Sequence, residues 1–407
     1  MSKTEMPSIR FYGFDNDWEQ RKFDEAFIER RNKTEKENED ILLSCAINGM
    51  FLNSELFGHF RGTTTIGYLR VKKNDLILSA QNLHLGNANV NLRFEHGIIS
   101  PAYKVYDLNN CNPEFVQSWV KRDDTKKFFL AATTEGASQC RKNIEWETLG
   151  KQTISMPSLD EQKRIGSFFS QLDNLITLHQ RKFEKLTNVK KSMLEKMFPR
   201  NGSCYPEIRF KGFTDPWEQR KLTNLCEKFT DGDWIEAKDQ SDSGVRLVQT
   251  GNVGVTEYLD KPNNKKWISF ETFEQLHCEE VYPGDILISR LPEPAGRACI
   301  MPNLGTKMIT AVDCTIVRPN AVTSTRFLLQ YLSSQAYFDA VNTCLAGGTR
   351  QRISRGNLAQ FNVPIPSSKI EQEKIGEVLE KLDTLITLHQ REHIKPILEV
   401  KRVKRNE

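Results

Sequence analysis

The sequence predicts an α+β chain in which two globular blocks are separated by two long helices that pair as an antiparallel coiled coil, the second half repeating the first. Three observations carry this expectation. Between Ser158 and Met197, the residues Ile165, Phe169, Leu172, Ile176, His179, Phe183, Leu186, Lys190, Met193 and Met197 follow one another at alternating spacings of four and three. That is the stripe of a helix supercoiled against a partner. Ile375, Leu379, Leu382, Ile386, His389, His393, Pro396, Val400 and Val403 repeat the spacing, with Ile375 standing 210 positions after Ile165, and LDNLITLHQR returns as LDTLITLHQR. Finally, IRFYGFDNDWEQRK from position 9 comes back as IRFKGFTDPWEQRK from position 208, matching Trp18 to Trp217. Neither half can bury its stripe alone, so the helices are expected to pack on each other, antiparallel because the block between them lets the chain reverse. Each would span roughly 60 Å at about 1.5 Å per residue.

Taken in order, residues 9–27 begin with a short strand-like piece, and WEQRKFDEAF then suits a helix beginning near Asp17. ERRNKTEKENED at 29–40 mixes charges of both signs and reads as a solvated loop or helix end, or as a nucleic-acid contact. LILSA at 76–80 and IISPAYKVYDL at 98–108 are strand-like, while FVQSWV at 115–120 and KKFFLAAT at 126–133 fit either helices or buried strands. In the second block GVRLVQTGNV at 244–253 reads as a strand entering a turn, and PGDILISR at 283–290 as a turn followed by a strand. ACIMPNLGTKMITAVDCTIVRPN at 298–320 reads as a hairpin pair and RFLLQYLSSQAYFDAV at 326–341 as helix. GGTRQRISRGNLAQFNVPIP at 347–366 is a glycine and arginine loop feeding the second long helix.

Composition bounds the function. With 407 residues, 38% hydrophobic and 27% charged, the chain can build two ordinary cores besides the helices. Its opening residues contain no apolar run of signal-peptide length, and no window approaches the roughly 18 apolar residues of a membrane span. Nine cysteines, scattered and without CxxC pairs, read as reduced thiols rather than disulfides or a zinc site. A cytoplasmic protein with no membrane partner is expected. The net charge of +4 means that any basic surface must be made locally.

EQKRIG and EQEKIG opening the two helices, the WEQRK repeat, and PGDILISR followed by GGTRQRI together resemble the specificity subunit of a type I restriction and modification system. The resemblance covers essentially the whole chain. It implies two target recognition domains, at 1–157 and 201–366, each reading one half of a split site in double-stranded DNA. It also implies coiled-coil helices at 158–200 and 367–407 that fix the gap between half-sites and dock two methyltransferase subunits, with two ATP-dependent restriction and translocation subunits completing the complex. No cofactor is implied in this chain: S-adenosylmethionine, ATP and magnesium would belong to the partners. A ruler of about 60 Å corresponds to roughly 17 base pairs at about 3.4 Å per pair.

Reading bases requires donors and acceptors on loops held by a rigid sheet, chiefly Arg or Lys to guanine and Asn or Gln to adenine. In the first block the candidates are Arg61, Lys72, Lys73, Gln81, Asn82, Asn87, Asn89 and Arg93. In the second they are Arg246, Gln249, Asn252, Arg290, Arg297, Arg350, Gln351, Arg352 and Arg355. Each can equally be a solvated residue or a phosphate contact. GGTRQRISR either touches DNA or braces the helix start. His179 and His389, matched on the seam, either pin the register or are tolerated at its edge. Glu161, Gln162, Glu371 and Gln372 are explained by acidic residues favouring a helix N-terminus.

Motifs of chemistry are missing from the sequence. Ser100-Pro101-Ala102-Tyr103 and Asn112-Pro113-Glu114-Phe115 each lack the second proline of an adenine methyltransferase tetrapeptide, and no GxxxxGK followed by Ser or Thr is present. No paired-carboxylate and lysine nuclease constellation stands out, although such a weak signal could hide among DDTKK at 123–127. The expected function is therefore a non-catalytic DNA reader and scaffold. Its rivals are a stand-alone DNA-binding regulator and a DNA-modifying enzyme with unrecognised motifs. Pro396 is expected to kink or end the second helix, leaving KRVKR as a frayed tail, a phosphate contact or an altered terminus.

Overall fold

The computed structural model describes residues 7, 9–58, 64–138, 141–200, 202–347 and 351–403. They form two compact units, Met1–Thr177 and Leu178–Glu407. At the centre of the first is an antiparallel sheet in the order Phe27–Arg30, Tyr103–Leu108, Leu76–Ser79, Ala88–Val90. Side chains alternate across a strand, and because both faces of this one are covered, Leu76, Ile77 and Leu78 are all apolar. Leu76 and Leu78 enter a core with Phe23, Phe27, Phe115, Trp119 and Phe129, while Ile77 faces Leu43, Leu69, Val71 and Ile99.

The second unit repeats that sheet with Cys226–Asp231, Cys314–Pro319, Ile286–Ser289 and Ala298–Ile300 in the same order. Ile286 and Ile288 pack with Trp217, Phe327 and Tyr337, and Leu287 packs with Val248, Met308 and Cys314. A second sheet runs Gln240–Ser241, Lys266–Ile268, Val245–Val248, Met308–Thr310, the last pair parallel.

Several local expectations change. WEQRK is not helical: Glu19–Lys22 pairs antiparallel with Thr153–Met156, and Glu218–Lys221 does the same with Asn362–Ile365. Only the turn Phe23–Ala26 is helix. Closing each block by joining its first strand to its last overrides local helix propensity. The expected hairpin at 298–320 is instead three strands, two flanking Ile286–Ser289 and one, Met308–Thr310, in the other sheet. The ambiguous stretches of the first block are helices, Pro113–Val120 and Asp123–Ala131. RFLLQYLSSQAYFDAV divides into Thr325–Tyr331 and Gln335–Thr343, which Ser324 and Ser334 cap by accepting from backbone N–H groups.

The first long helix, Leu159–Met197, has 39 residues and a length of about 58 Å. The second, Lys369–Val403, has 35 and stays helical through Pro396, where an interruption was expected. A proline removes one backbone hydrogen bond, which a long helix can absorb without ending. Within the second unit the two pack in opposite directions. His179 meets His389, whereas the later Lys190 meets the earlier Asp383. Met193, Leu194 and Met197 share a core with Ile375, Leu379 and Leu382. Within the second unit Phe183 and Leu186 are half-buried between exposed neighbours, as seam positions should be, and Ile386 is half-buried as well; Leu172 and Ile176, in the first unit, are also half-buried. In the first unit Ile165 packs into the core of the block, and Phe169 is exposed.

Candidate nucleic-acid interface

Each block is fastened to the start of a long helix by the same three devices. Glu161, 1% exposed, accepts from Arg10 Nε and Nη2, both at 2.7 Å; Glu371, also 1% exposed, accepts from Arg209 Nε at 2.8 Å and Nη2 at 2.9 Å. These arginines belong to the repeated IRF motif. Gln162 donates to the Pro157 carbonyl and accepts from the Asn112 amide, while Gln372 donates to the Pro366 carbonyl and accepts from the Ser324 amide. Both glutamines thereby hold the N-cap residue of a short helix. Gly166 and Gly376 then let that short helix approach, since a Cβ would stand 2.6 Å from Phe115 N in one and 2.7 Å from Arg326 Cβ in the other. The EQ…IG signature is therefore a block-to-helix anchor. An ordinary helix-terminus role was a sufficient local explanation and hid it, although the matched Arg in both copies of IRF was the available signal.

In the first block, Arg61 lies outside the described residues. Lys72, Lys73, Gln81, Asn82 and Arg93 are exposed. Lys72 is paired with Asp107 at 2.7 Å, Lys73 with Glu95, and Arg93 in two-point contact with Glu55. Asn87 and Asn89 are corrected to buried positions. Asn89, 0% exposed, donates to the Ala46 carbonyl at 2.6 Å, and Asn87 Oδ1 accepts from Cys45 Sγ. Both face inward from the strand region that makes the sheet edge. Arg70 and His96, both exposed, escaped the sequence reading. Arg70 Nε donates to Glu39 Oε1 at 2.7 Å, and His96 lies 2.6 Å from Asp40, around a cleft of about 320 Å³ that also includes Lys72. Their isolation within strand-like sequence offered no motif to find them by.

In the second block, Arg350 lies outside the described residues. Arg246, Asn252 and Arg290 are buried, and Arg297 is half-buried. Arg246 donates to the Leu247 and Lys266 carbonyls, and Asn252 bridges the Leu259 carbonyl and the Gln249 amide. Arg297 donates to the carbonyls of Val253, Leu291, Pro294 and Thr250. The surface reading of these side chains is corrected, because each turns inward and spends donors on backbone carbonyls of its own block. Gln249 is half-buried, while Gln351, Arg352 and Arg355 are exposed. Arg352 and Arg355 converge on an ionic cluster with Arg290, Asp231 and Asp313. Arg352 and Ile353 are also tied down, because Ile353 N donates to the Arg290 carbonyl and Arg352 forms a two-way backbone bridge with Ala346.

The near-miss motifs have structural roles. Asn112 caps the helix Pro113–Val120 by accepting from Phe115 N, Ser100–Tyr103 forms a turn, and the DDTKK charges pair along the exposed face of a helix whose Phe129 enters the core. Burial pushes the thiols of Cys45, Cys278 and Cys314 up to about 11 and those of Cys226 and Cys299 up to about 12, so they are protonated at neutral pH. Among the described residues no cluster of three or more His, Cys, Asp or Glu could hold a metal ion, and no helix is long and apolar enough to cross a membrane.

The family model "Type I restriction modification DNA specificity domain" matches twice, over residues 2–188 and 214–398. A type I restriction enzyme specificity subunit, MjaVIII, from Methanocaldococcus jannaschii is 22% identical over 348 residues, 79% of this chain and 75% of its own length. A second from that organism, the putative MjaX specificity subunit, is 24% identical over 360 residues, 84% and 74% of the two chains. The crystal structure of a type I restriction-modification system S subunit from M. genitalium is similar in fold. Its TM-score is 0.54 at 14% identity, covering 97% of this chain and 96% of that one.

Proposed function

Since the chain belongs to the type I restriction-modification DNA specificity family, we propose that it is the non-catalytic specificity subunit of such a complex, reading a two-part site in double-stranded DNA with one block per half. The observation that carries the reading is the double match of the family domain, one copy to each half of a duplicated chain. The anchors support it, because each block is held rigidly to its own helix by a buried ion pair, a glutamine bridge and a close glycine contact. Exposed loops then move as one body with the helix start, as base reading requires.

The long helices supply a docking surface for methyltransferase subunits. LDNLITLHQR and LDTLITLHQR are nearly identical, yet Leu175 and Leu178 in one and Leu385 and Leu388 in the other are exposed away from the seam. Exposed apolar side chains repeated at matched positions mark surface that is covered in the assembly. Restriction subunits join through that complex. S-adenosylmethionine, ATP and magnesium act in the partners, so methyl transfer, translocation and cleavage lie outside this chain.

The test is to map methylated adenines genome-wide in cells making the methyltransferase partner with and without this chain. One two-part motif with a fixed unread gap is expected only when the chain is present. Identical methylation in both strains would overturn the proposal. Leu178→Glu with Leu388→Glu is expected to leave the chain folded and abolish copurification with the methyltransferase.

A further inference from the structure

Near the end of the central sheet in the second block, three arginines surround two aspartates. Arg352 Nη1 lies 3.5 Å from Asp313 Oδ1, and Arg355 Nε lies 3.8 Å from Asp231 Oδ2. The buried Arg290 sits beneath them, its Nη2 at 3.5 Å from Asp231 and 3.8 Å from Asp313. The framework is fixed: Asp231 Oδ1 accepts from Thr315 Oγ1 at 2.9 Å, and Arg290 Nη2 donates to the Val312 carbonyl at 2.7 Å. The arginine backbones are fixed as well. Arg352 is bridged to Ala346, and Arg355 opens a helical turn capped by Ser354.

Charge-assisted hydrogen bonds run at about 2.7–2.9 Å, so the carboxylates attract Arg352 and Arg355 without consuming their N–H donors. Both side chains remain about half exposed, at 61% and 47%. They are oriented, charged and open to a further acceptor.

Charge selects the acceptor. Two carboxylates cancel most of the charge of three arginines and leave a net +1, so a phosphate gains much less here than at an unpaired arginine, whereas the hydrogen bonds to a neutral base edge keep their value. Guanine offers two acceptors, O6 and N7, in the spacing of the arginine fork. We infer that Arg352 and Arg355, oriented by Asp313 and Asp231, read guanine in the half-site of the second block. The inference rests on the function proposed above.

The experiment uses the full chain assembled with its methyltransferase partner, on the two-part site found by methylation mapping. Arg352→Lys and Arg355→Lys keep the charge and lose the fork. Each is expected to reduce discrimination for guanine in one half-site by about tenfold to a hundredfold, leaving the other half-site and the salt dependence of binding unchanged. Replacing that guanine by 7-deazaguanine, which lacks the N7 acceptor, should weaken wild-type binding and have little effect on the lysine variant. Asp313→Asn should raise binding to non-cognate DNA more than to the cognate site. Uniform weakening on all sequences in Arg352→Ala, with the log–log salt slope reduced by about one, would make these phosphate contacts and overturn the inference. So would lysine variants that still demand the same bases. A wild-type complex that recognises no two-part site would instead remove the proposed function itself.

Discussion

Replacing Glu371 by Met tests whether the helix anchor carries the stability ascribed to it. Glu371 is almost wholly enclosed, and its partner Arg209 has a side chain only 13% exposed. Removing the carboxylate leaves a guanidinium with its two donors unpaired in a site that admits little water. Breaking a buried pair from one side costs about 3–5 kcal/mol; partial exposure of Arg209 favours the lower end, about 3 kcal/mol. A domain of 150–250 residues loses about 2–4 °C in Tm per kcal/mol, so Glu371→Met should lower the melting of the second unit by about 6–12 °C. Arg209→Met should do similar damage. The double variant should recover to within about 1 kcal/mol of the parent, because apolar side chains of similar size replace both charges without stranding either. Calorimetry on the four proteins yields the coupling energy of the pair. Additive losses, with a coupling below about 0.5 kcal/mol, would refute the claim that the contact is a buried, mutually dependent pair.

Gly376→Ala should cost about 1–3 kcal/mol through overpacking against Arg326 and Phe327, and denaturant unfolding would show it as a lower midpoint. Replacing His179 or His389 singly by Leu should destabilise by about 1–3 kcal/mol, by removing one side of a contact 3.1 Å long between the two Nδ1 atoms. The double replacement should match or exceed the parent in Tm, as expected where a polar contact sets register at a cost in stability. Exchanging residues 208–360 for the corresponding block of a relative should change one half-site in the methylation map and leave the other intact. Adding seven residues to both long helices should widen the unread gap by about three base pairs, from about 1.5 Å per residue and 3.4 Å per pair, and an unchanged gap would contradict the ruler.

The long helices were legible because a 3.5-residue period sustained over more than thirty residues is specified by the chain itself. The duplication was legible for the same reason: it is written in residue identity. Residues whose meaning depends on strand pairing were not. Asn89 and Asn252 have the chemistry of adenine readers, yet one points into the core and the other closes a turn, and residue type cannot distinguish these fates from exposure. Arg297 illustrates the point further, because all its donor nitrogens serve backbone carbonyls. WEQRK misled through local propensity, since its strand exists only by pairing with residues more than 130 positions away. Arg352 and Arg355 were legible as a loop cluster, but the aspartates that orient them come from Asp231 and Asp313, far off in sequence.

The paired anchors have a further consequence for how such a chain can change through time. Arg10, Glu161, Gln162 and Gly166 have counterparts in Arg209, Glu371, Gln372 and Gly376, so the same socket occurs twice in one gene. Recombination with breakpoints in the IRF…WEQRK segment and at the helix start would deliver a foreign block with its fastenings complete. The incoming cartridge must also present an apolar face to the helix start, as the second block does to Ile375 and Leu379. Target preference can then be reshuffled in a single genetic event while the surface shown to the partner subunits is inherited unaltered.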